Sequence, residues 1–378
     1  MSRRALALSA AAAAAAVAVM TTAAVILLSS GGGDDTPEPQ AAPAASVHQN
    51  LIRGTVWVAN EGGAALTAID AGSNEVTATL TGIEGAHNIQ VAPDGRTVWA
   101  VSGHESLAAM IDATTYELHG TVPTGGEPAH IVVTPDGQRA YVTNGADDTV
   151  TAIDVASMKT VATIPVGAFP HGMRPSTDGR WIYVANAKGT TVSVIDVASN
   201  RKVADIAVGK SPVQVGFTPD GGYAYVSLNG EDAVGKIDVA RRKLVGKTKV
   251  GDGPIQVYVS PDGKYLLVAN QGTAERPSTT VSIIDTASFA VVDTVETGQG
   301  AHGLVIDPSS RHAYVTNIYG GDVVVLDLRE RRVVARIPVR AEPNGISFST
   351  LVSPRPSAGA EIELPMPQMD ETMPGMED

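Results

Sequence analysis

The sequence predicts an all-β protein, a seven-bladed β-propeller in which each blade is a four-stranded sheet. Three observations predict this fold: two turn markers recur every 42 residues, each repeat holds four short strand patterns, and one strand pattern remains after the last complete repeat. The composition agrees, because 39 Gly and 23 Pro with only 4% aromatic residues are typical of many short strands joined by tight turns.

The first marker is the tripeptide Pro-Asp-Gly, in which Pro presets φ and Gly accepts a positive φ. It begins at Pro93, Pro135, Pro219 and Pro261, and Thr177-Asp178-Gly179 fills the gap in the series. The second marker is an aspartate that ends an apolar run. It occurs at Asp70, Asp112, Asp154, Asp196, Asp238, Asp285 and Asp327. All its steps are 42 residues except one of 47, which contains an insertion within 271–280. We expect these aspartates to cap turns, since catalytic residues do not recur seven times.

Each repeat alternates apolar and polar residues over four short stretches rich in β-branched side chains. In the third full repeat these stretches are 140–143, 149–153, 160–164 and 171–176. One four-stranded unit cannot cover both of its faces, whereas units packed around an axis can. Counting from Thr55 gives 28 strands, and the last one, 344–349, is predicted to complete the blade that the N-terminal strands begin.

The motifs Tyr141-Val142-Thr143-Asn144 and Tyr314-Val315-Thr316-Asn317 identify a resemblance. They resemble the signature of the YVTN family of β-propeller repeats, and residues 57–60 and 183–186 are near copies. The resemblance covers about residues 51–350. It implies the propeller fold but no single activity, because similar propellers include surface-layer-associated proteins, periplasmic proteins and relatives of copper- or haem-bearing propellers.

Two segments bracket the repeats and divide the chain into four predicted regions. Residues 1–30 carry Arg3 and Arg4 before a long apolar run, which indicates either a signal anchor or a cleaved signal peptide. Residues 31–50 are a flexible Gly/Pro/Ala linker, 51–350 the propeller, and 351–378 a disordered, acidic Pro/Met-rich tail. The protein is therefore expected outside the cytoplasm, either anchored to the membrane by its N-terminus or secreted or periplasmic.

Composition excludes several classes of function. The net charge of −13 argues against general nucleic-acid binding. The absence of cysteine excludes disulfides, thiolate metal sites, a cysteine nucleophile and lipid attachment at an N-terminal cysteine. No serine-histidine-aspartate order, phosphate loop or zinc-binding helix motif is present.

The strongest candidate site lies at the mouth of the central channel, where the innermost strands begin. His87, His171, His302 and Asn344 lie at equivalent repeat positions, and His130 is one residue out of register. Imidazoles suit copper, zinc, iron or nickel. The remaining equivalent positions carry Ala129, Val213 and Ile255, so a metal cluster that uses every blade is not predicted. The alternative is that these histidines only hydrogen-bond the loops between blades.

A second candidate site is the C-terminal tail, which spaces four methionines with Pro, Gly and acidic residues. These are Met366, Met369, Met373 and Met376. Thioethers select Cu(I), so the tail is a candidate copper ligand, although no cofactor is certain. The alternative is an acidic tail in which the methionines bind nothing.

The two faces of the ring are predicted to differ in charge. The face with the channel mouth carries acidic loops that include Glu61, Asp147, Asp148, Glu231 and Asp232. The opposite face carries a basic arc, made of Arg201, Lys202, Arg241, Arg242, Lys243, Arg329, Arg331 and Arg332. The arc is a candidate polyanion surface, but no aromatic residues are interleaved with it in the sequence, which argues against stacking of single-stranded nucleic acid.

Three functions therefore stand as hypotheses. The first is a non-enzymatic, monomeric binding or scaffold propeller that presents a protein or small-ligand site on the acidic loop face. The second is a copper-binding or copper-handling protein that uses the methionine tail and the histidines. The third is a propeller enzyme of the lyase or lactonase type, for which no positive motif was found.

Overall fold

The computed structural model describes residues 52–356 and 360–367. These residues form twenty-nine strands and one short 3₁₀ turn, Asn229–Glu231, which are joined by turns and loops. The strands are β1 Thr55–Asn60, β2 Ala65–Asp70, β3 Glu75–Thr81, β4 Ala86–Val91, β5 Thr97–Ser102, β6 Leu107–Asp112, β7 Leu118–Pro123, β8 Pro128–Val133, β9 Arg139–Asn144, β10 Thr149–Asp154, β11 Lys159–Pro165, β12 Pro170–Pro175, β13 Trp181–Asn186, β14 Thr191–Asp196, β15 Arg201–Ala207, β16 Pro212–Phe217, β17 Tyr223–Leu228, β18 Ala233–Asp238, β19 Lys243–Lys249, β20 Pro254–Val259, β21 Tyr265–Gly272, β22 Pro277–Asp285, β23 Ala290–Glu296, β24 Ala301–Ile306, β25 His312–Asn317, β26 Asp322–Asp327, β27 Arg332–Pro338, β28 Pro343–Ser349 and β29 Ala360–Glu363.

These strands form seven antiparallel sheets arranged as a propeller, as the repeat predicts. Six sheets take four consecutive strands each, from β4–β7 to β24–β27. The innermost strands contact one another in a closed circle, β4–β8–β12–β16–β20–β24–β28 and back to β4. The remaining sheet has the order β28-β1-β2-β3-β29, and β28 pairs with β1 from Thr55↔Ser349 to Asn60↔Pro343. The predicted closure of the ring by the C-terminal strand is thus confirmed.

Part of the segment expected to be a disordered tail is ordered against the propeller. Strand β29 runs parallel to β3, with Ala360 opposite Ala78 and Glu363 opposite Thr81. Leu364 is buried at the same edge, where Ile362 and Met366 pack on the core of the first blade. The prediction missed this strand because its four residues are flanked by Pro-rich sequence and fall outside the repeat.

The repeated aspartates form the turns that the sequence predicts. In all seven repeats the Oδ1 atom of the aspartate accepts a backbone N–H two or three residues later, as Asp154 does from Ser157 at 3.0 Å. The Pro-Asp-Gly turns are stabilised by a different pair of hydrogen bonds. The Thr134 hydroxyl donates to Asp136 at 2.6 Å and accepts the Arg139 N–H at 3.1 Å.

The core lies between blades, where one repeat position supplies the largest side chains. Trp57, Trp99, Tyr141, Tyr183, Tyr225, Leu267 and Tyr314 occupy this position, and each is 0% exposed. The first residue of the Tyr-Val-Thr-Asn motif is therefore a packing residue, and it seals each blade against its neighbour.

The threonine of the motif ties neighbouring inner strands together. The fully buried Thr316 hydroxyl accepts the Gly303 N–H at 2.7 Å and donates to the Asn344 carbonyl of the next blade at 2.9 Å. Thr143 does the same for the His130 N–H and the His171 carbonyl, at 2.9 and 2.7 Å. A hydroxyl that accepts one hydrogen bond and donates another thus joins consecutive blades next to the axis.

Replacing Thr316 with Val keeps the shape of the side chain but leaves a buried N–H and a buried C=O unpaired. We expect a loss of about 2–4 kcal/mol in the free energy of unfolding, measured by urea denaturation. Thr316→Ser is the matched control, because Ser227 makes the same two bonds in its own repeat. Equal stability of the Val and Ser variants would show that the hydroxyl contributes nothing.

Candidate functional site at the channel mouth

The channel mouth is built from a β-bulge that opens each innermost strand. In all seven inner strands the pairing slips by one residue between the first and fourth positions, as between Pro128↔Asn144 and Ile131↔Val142 in β8. The residues at the second and third positions of the inner strand therefore both lie opposite a single residue of the neighbouring strand. The bulge brings residues from both positions to one site, so His130, one residue out of register, joins the others.

Three histidines from three consecutive blades converge at this mouth. One nitrogen each of His87, His130 and His171 lies within 4.8 Å of the other two. The Nε2 atoms of His87 and His171 are 3.2 Å apart, and the rings of His130 and His171 have centroids 4.9 Å apart. Thr143 holds the backbones of His130 and His171 together through its hydroxyl.

A carboxylate orients the first of these imidazoles. Glu61 Oε2 lies 3.1 Å from His87 Nδ1, and the Asn344 amide donates to the same oxygen at 2.7 Å. Burial by itself raises the pKa of Glu61, but hydrogen bonds from His87 and Asn344 and the charge of nearby imidazoles lower it to about 2. Glu61 is therefore ionised over the whole physiological range. The sequence placed it only among surface acidic loops.

The other histidines of the mouth are neutral at physiological pH. Burial, together with neighbouring imidazoles, lowers the pKa of His171 to about 3 and that of His302 to about 4. The same causes hold the pKa of His130 well below its usual range. The Nδ1 atoms of His171 and His302 are buried and have no hydrogen-bond partner among the described residues.

His302 lies beside the group of three rather than within it. Its ring centroid is 6.4 Å from that of His87, and its side chain lines a small space of about 10 Å³ deeper in the channel. A void of this size has room for about one water molecule. His302 and Asn344 are thus neighbours of the three-histidine group, and Asn344 reaches it through Glu61 and His87.

Two glutamines complete the ring on the side opposite His87. Gln214 Nε2 lies 3.4 Å from His130 Nδ1 and donates to Gln256 Oε1 at 3.2 Å. Both occupy the third position of their strands, as His130 does. Their register differs by one residue from that of His87, His171 and His302, so the repeat positions alone did not indicate them.

The cluster opens into a solvent-facing pocket of about 270 Å³. Glu61, His87, His104, Glu127, Phe169 and His171 are among the residues that line this pocket. A small ligand can therefore approach the imidazole nitrogens from outside.

Several acidic residues of the same face hold the loops together. Asp148 accepts the Phe169 N–H at 2.7 Å, and Asp232 accepts the Gly253 N–H at 3.0 Å. Glu231 accepts the Lys210 N–H and forms an ion pair with Lys247 at 2.6 Å. These carboxylates are engaged in structure, which reduces the acidic surface available to a partner.

On the opposite face half of the basic arc, four of its eight residues, is paired. Lys202 contacts Asp205 at 2.8 Å, Arg241 contacts Asp238 at 2.5 Å, and Arg331 contacts Asp293 at 3.4 Å. Arg332 contacts Glu330 at 2.5 Å. The arc therefore presents less free positive charge than the sequence suggests.

In three dimensions aromatic side chains do lie beside the arc, contrary to the expectation from the sequence. Trp181 lies between Arg180 and Arg242, whose guanidinium carbons are 4.5 and 4.4 Å from its ring centroid. Arg331 also lies 5.8 Å from the ring of Tyr265. The fold assembles these stacks from different repeats, so sequence proximity does not reveal them.

Comparison with known proteins agrees with this architecture. The YNCE-like beta-propeller family matches residues 84–175 and 219–351, which is more than half of the chain. The chain belongs to the YNCE-like β-propeller family. No curated protein matches it.

Solved structures similar to this YNCE-like propeller have varied descriptions. Hydrazine synthase of Kuenenia stuttgartiensis is 25% identical with a TM-score of 0.63, over 71% of this chain and 91% of that one. A functionally unknown protein from Desulfotomaculum acetoxidans is 16% identical with a TM-score of 0.70, over 78% and 98%. A putative 6-phosphogluconolactonase from Bacteroides uniformis is 17% identical with a TM-score of 0.67, over 78% and 99%. The last two similarities show the fold alone.

Two predicted features of this YNCE-like propeller lie wholly or partly outside the described residues. The N-terminal apolar segment is one of them, and no helix within the described ranges is long and apolar enough to cross a membrane. The methionine tail is the other. Met366 packs on the first blade, whereas Met369, Met373 and Met376 lie beyond the last described residue.

Proposed function

We propose that this protein is an exported binding propeller whose channel-mouth histidines bind a divalent transition metal, copper or zinc. The observation that carries the proposal is the convergence of His87, His130 and His171, whose ligand nitrogens lie within 4.8 Å of one another. Metal–imidazole bonds are about 2 Å long, which places ligand nitrogens of a tetrahedral site roughly 3.3 Å apart. The 3.2 Å between His87 Nε2 and His171 Nε2 already suits such a site.

The surroundings of the three imidazoles support metal binding. Glu61 bonds to His87 Nδ1 and leaves Nε2 facing the cluster, which is the carboxylate–histidine arrangement that orients metal ligands in proteins. The low pKa values of His130 and His171 keep their lone pairs free of protons at neutral pH, so metal binding displaces no proton from them. The adjoining pocket leaves room for a fourth ligand, either water or a small molecule.

The C-terminal tail favours copper over zinc. Strand β29 runs toward the loop that joins β3 to β4, and Met366 lies close to Gly82 in that loop, five residues before His87. The remaining tail methionines therefore follow a point on the same face of the ring as the histidines. Thioethers select Cu(I), and imidazoles bind copper in either oxidation state.

We also propose where the protein is located and how it acts. The basic and apolar N-terminal segment would export the propeller or anchor it to a membrane, with the ring outside the cytoplasm. The protein would act as a monomer that presents the bound metal, or a ligand on that metal, to a partner at the acidic loop face. No reaction is assigned to it.

Calorimetric titration of the purified, untagged full-length protein with Cu²⁺ and with Zn²⁺ tests the proposal. We expect one ion bound per chain, and paramagnetic resonance of the Cu²⁺ form should show nitrogen ligands. His130→Ala should weaken binding at least ~100-fold, and Glu61→Gln by about 10–100-fold, since carboxylates bonded to ligand histidines have effects of that size.

His104→Ala is the matched control, because His104 is exposed and lines the pocket but lies outside the group of three. A second comparison uses a chain that ends after residue 367. Loss of copper binding only in that variant would move the site to the tail. Failure of both the full and shortened chains to bind copper or zinc at stoichiometric supply would contradict the proposal.

A further inference from the structure

The channel contains a second polar group, an arginine beyond the histidines and toward the opposite face. Arg174 occupies the fifth position of inner strand β12. The same position in the other inner strands carries Gln90, Val132, Gly216, Tyr258, Val305 and Ser347. Arg174 is thus the only charged member of this ring of seven.

Among residues 52–356 and 360–367 the Arg174 guanidinium has almost no partners. Its one hydrogen bond joins Nη1 to Gln90 Oε1 at 3.4 Å, and its Cζ atom lies 5.9 Å from the ring centroid of Tyr258. No carboxylate of the described residues lies within ion-pair distance of it. Burial lowers the pKa of Arg174, but a guanidinium stays charged in proteins. A partly buried cation without a counter-charge is costly unless an anion neutralises it.

Space for such an anion is present beside it. A pocket of about 350 Å³ opens next to Arg174, and none of the described residues that line it is acidic. Most of the side chains that line it are apolar, with Val133, Phe217, Val259 and Phe348 among them, and polar atoms contribute about half of its surface. This volume is at the lower end of the range for small-molecule sites.

Further polar groups in the pocket are hydrogen-bond donors. Burial raises the pKa of Tyr258, so its hydroxyl keeps its proton. The Ser347 hydroxyl accepts the Val91 N–H at 3.0 Å, which leaves its own hydrogen free to donate. One cation, two hydroxyls and apolar walls complement a single carboxylate on an apolar body better than they complement a phosphate, which needs more donors.

We propose that this pocket binds a small organic monocarboxylate, with the carboxylate on Arg174 and the apolar body against the surrounding valine and phenylalanine side chains. A guanidinium binds a carboxylate through two parallel hydrogen bonds. The site shares no residue with the proposed metal site, because its lining includes none of His87, His130 and His171, although the charge of Arg174 lies close enough to His130 to lower the pKa of that imidazole.

Benzoate is the probe for this site, with benzyl alcohol and inorganic phosphate as comparison ligands. Binding to the full-length protein is measured by saturation-transfer NMR and calorimetry. Benzoate should bind and benzyl alcohol should not, and Arg174→Met should weaken benzoate binding about 10- to 100-fold, the factor expected for charge-assisted hydrogen bonds. Arg180→Met is the matched control, because Arg180 stacks on Trp181 outside the pocket and its loss should leave binding unchanged.

Gln90→Glu gives a second test that does not remove the arginine. The new carboxylate would lie beside the guanidinium and neutralise it, so benzoate binding should be lost while the melting temperature stays level or rises. Equal benzoate affinity in the native, Arg174→Met and Gln90→Glu proteins would overturn the proposal. Benzyl alcohol binding as tightly as benzoate, or an Arg174-dependent site for phosphate but not for benzoate, would overturn it as well.

Discussion

A chain that ends after Glu342 is expected to lose its cooperative unfolding transition. This truncation removes β28, the inner strand of the first blade, which pairs with β1 and contacts β4 and β24 on either side. Every residue of β1 is buried, and it would become an open edge. The ring would also lose its closure, so the loss should equal the whole stability of a domain, about 5–15 kcal/mol.

Circular dichroism and calorimetry during heating would measure this result. The matched control ends after residue 356, which removes β29 and the buried Leu364 but keeps β28 and the bond from Ser353 N–H to Thr55 Oγ1. It should unfold cooperatively at a moderately lower temperature. A cooperative transition in the shorter chain would show that the ring does not depend on its closing strand.

Acid should destabilise the protein from about pH 6.5 downward, before its carboxylates protonate. The pKa of His171 is about 3 and that of His302 about 4 in the folded protein, against 6.5 for a free imidazole. Between these values the unfolded chain binds more protons than the folded one, so stability is full above pH 6.5 and falls as the pH is lowered. Between pH 6.5 and 4.5 the loss should be on the order of 5 kcal/mol.

The pH window separates the histidines from the carboxylates. Glu61 has a folded pKa of about 2 against 4.5, so its contribution is lost only as the pH falls below 4.5. Urea denaturation at pH 7.0, 5.5 and 4.5 would measure the slope for the native protein and for the double variant His171→Gln, His302→Gln. The variant should show a flatter slope over this window, and the slope that remains includes the contribution of His130, whose pKa burial also lowers. Equal slopes would mean that protonation of the two imidazoles does not lower the free energy of unfolding.

Much of the fold was predictable because the same turn and strand patterns recur in every repeat. Asp154 and its six equivalents end strands and cap turns, and Thr134-Pro135-Asp136-Gly137 carries its own turn-locking bonds. Such interactions join residues that are neighbours in the chain, so their signal is visible in the sequence. Strand β29 was missed because its partner β3 is about 280 residues away and no repeat marks it.

The candidate site was only partly predictable. The second-position histidines His87, His171 and His302 share a register, and the sequence alone brought them to attention. It named His130 as a candidate one residue out of register but could not reveal the bulge that admits third-position residues, so Gln214 and Gln256 needed the structure. It also assigned Glu61 to a general acidic surface, although this carboxylate contacts His87.

The sequence by itself determined the seven-bladed ring and its closure, because both depend on local turn chemistry and on apolar patterns repeated at one interval. Only the tertiary structure decided which polar side chains share the axis and which cations are paired. It also placed Arg174 beside a pocket in which no described residue supplies a counter-charge. The physical reason is that a ring brings together residues that are 42 or more positions apart. Electrostatic and metal-binding interactions depend on those distances in space, on which the repeat places no constraint.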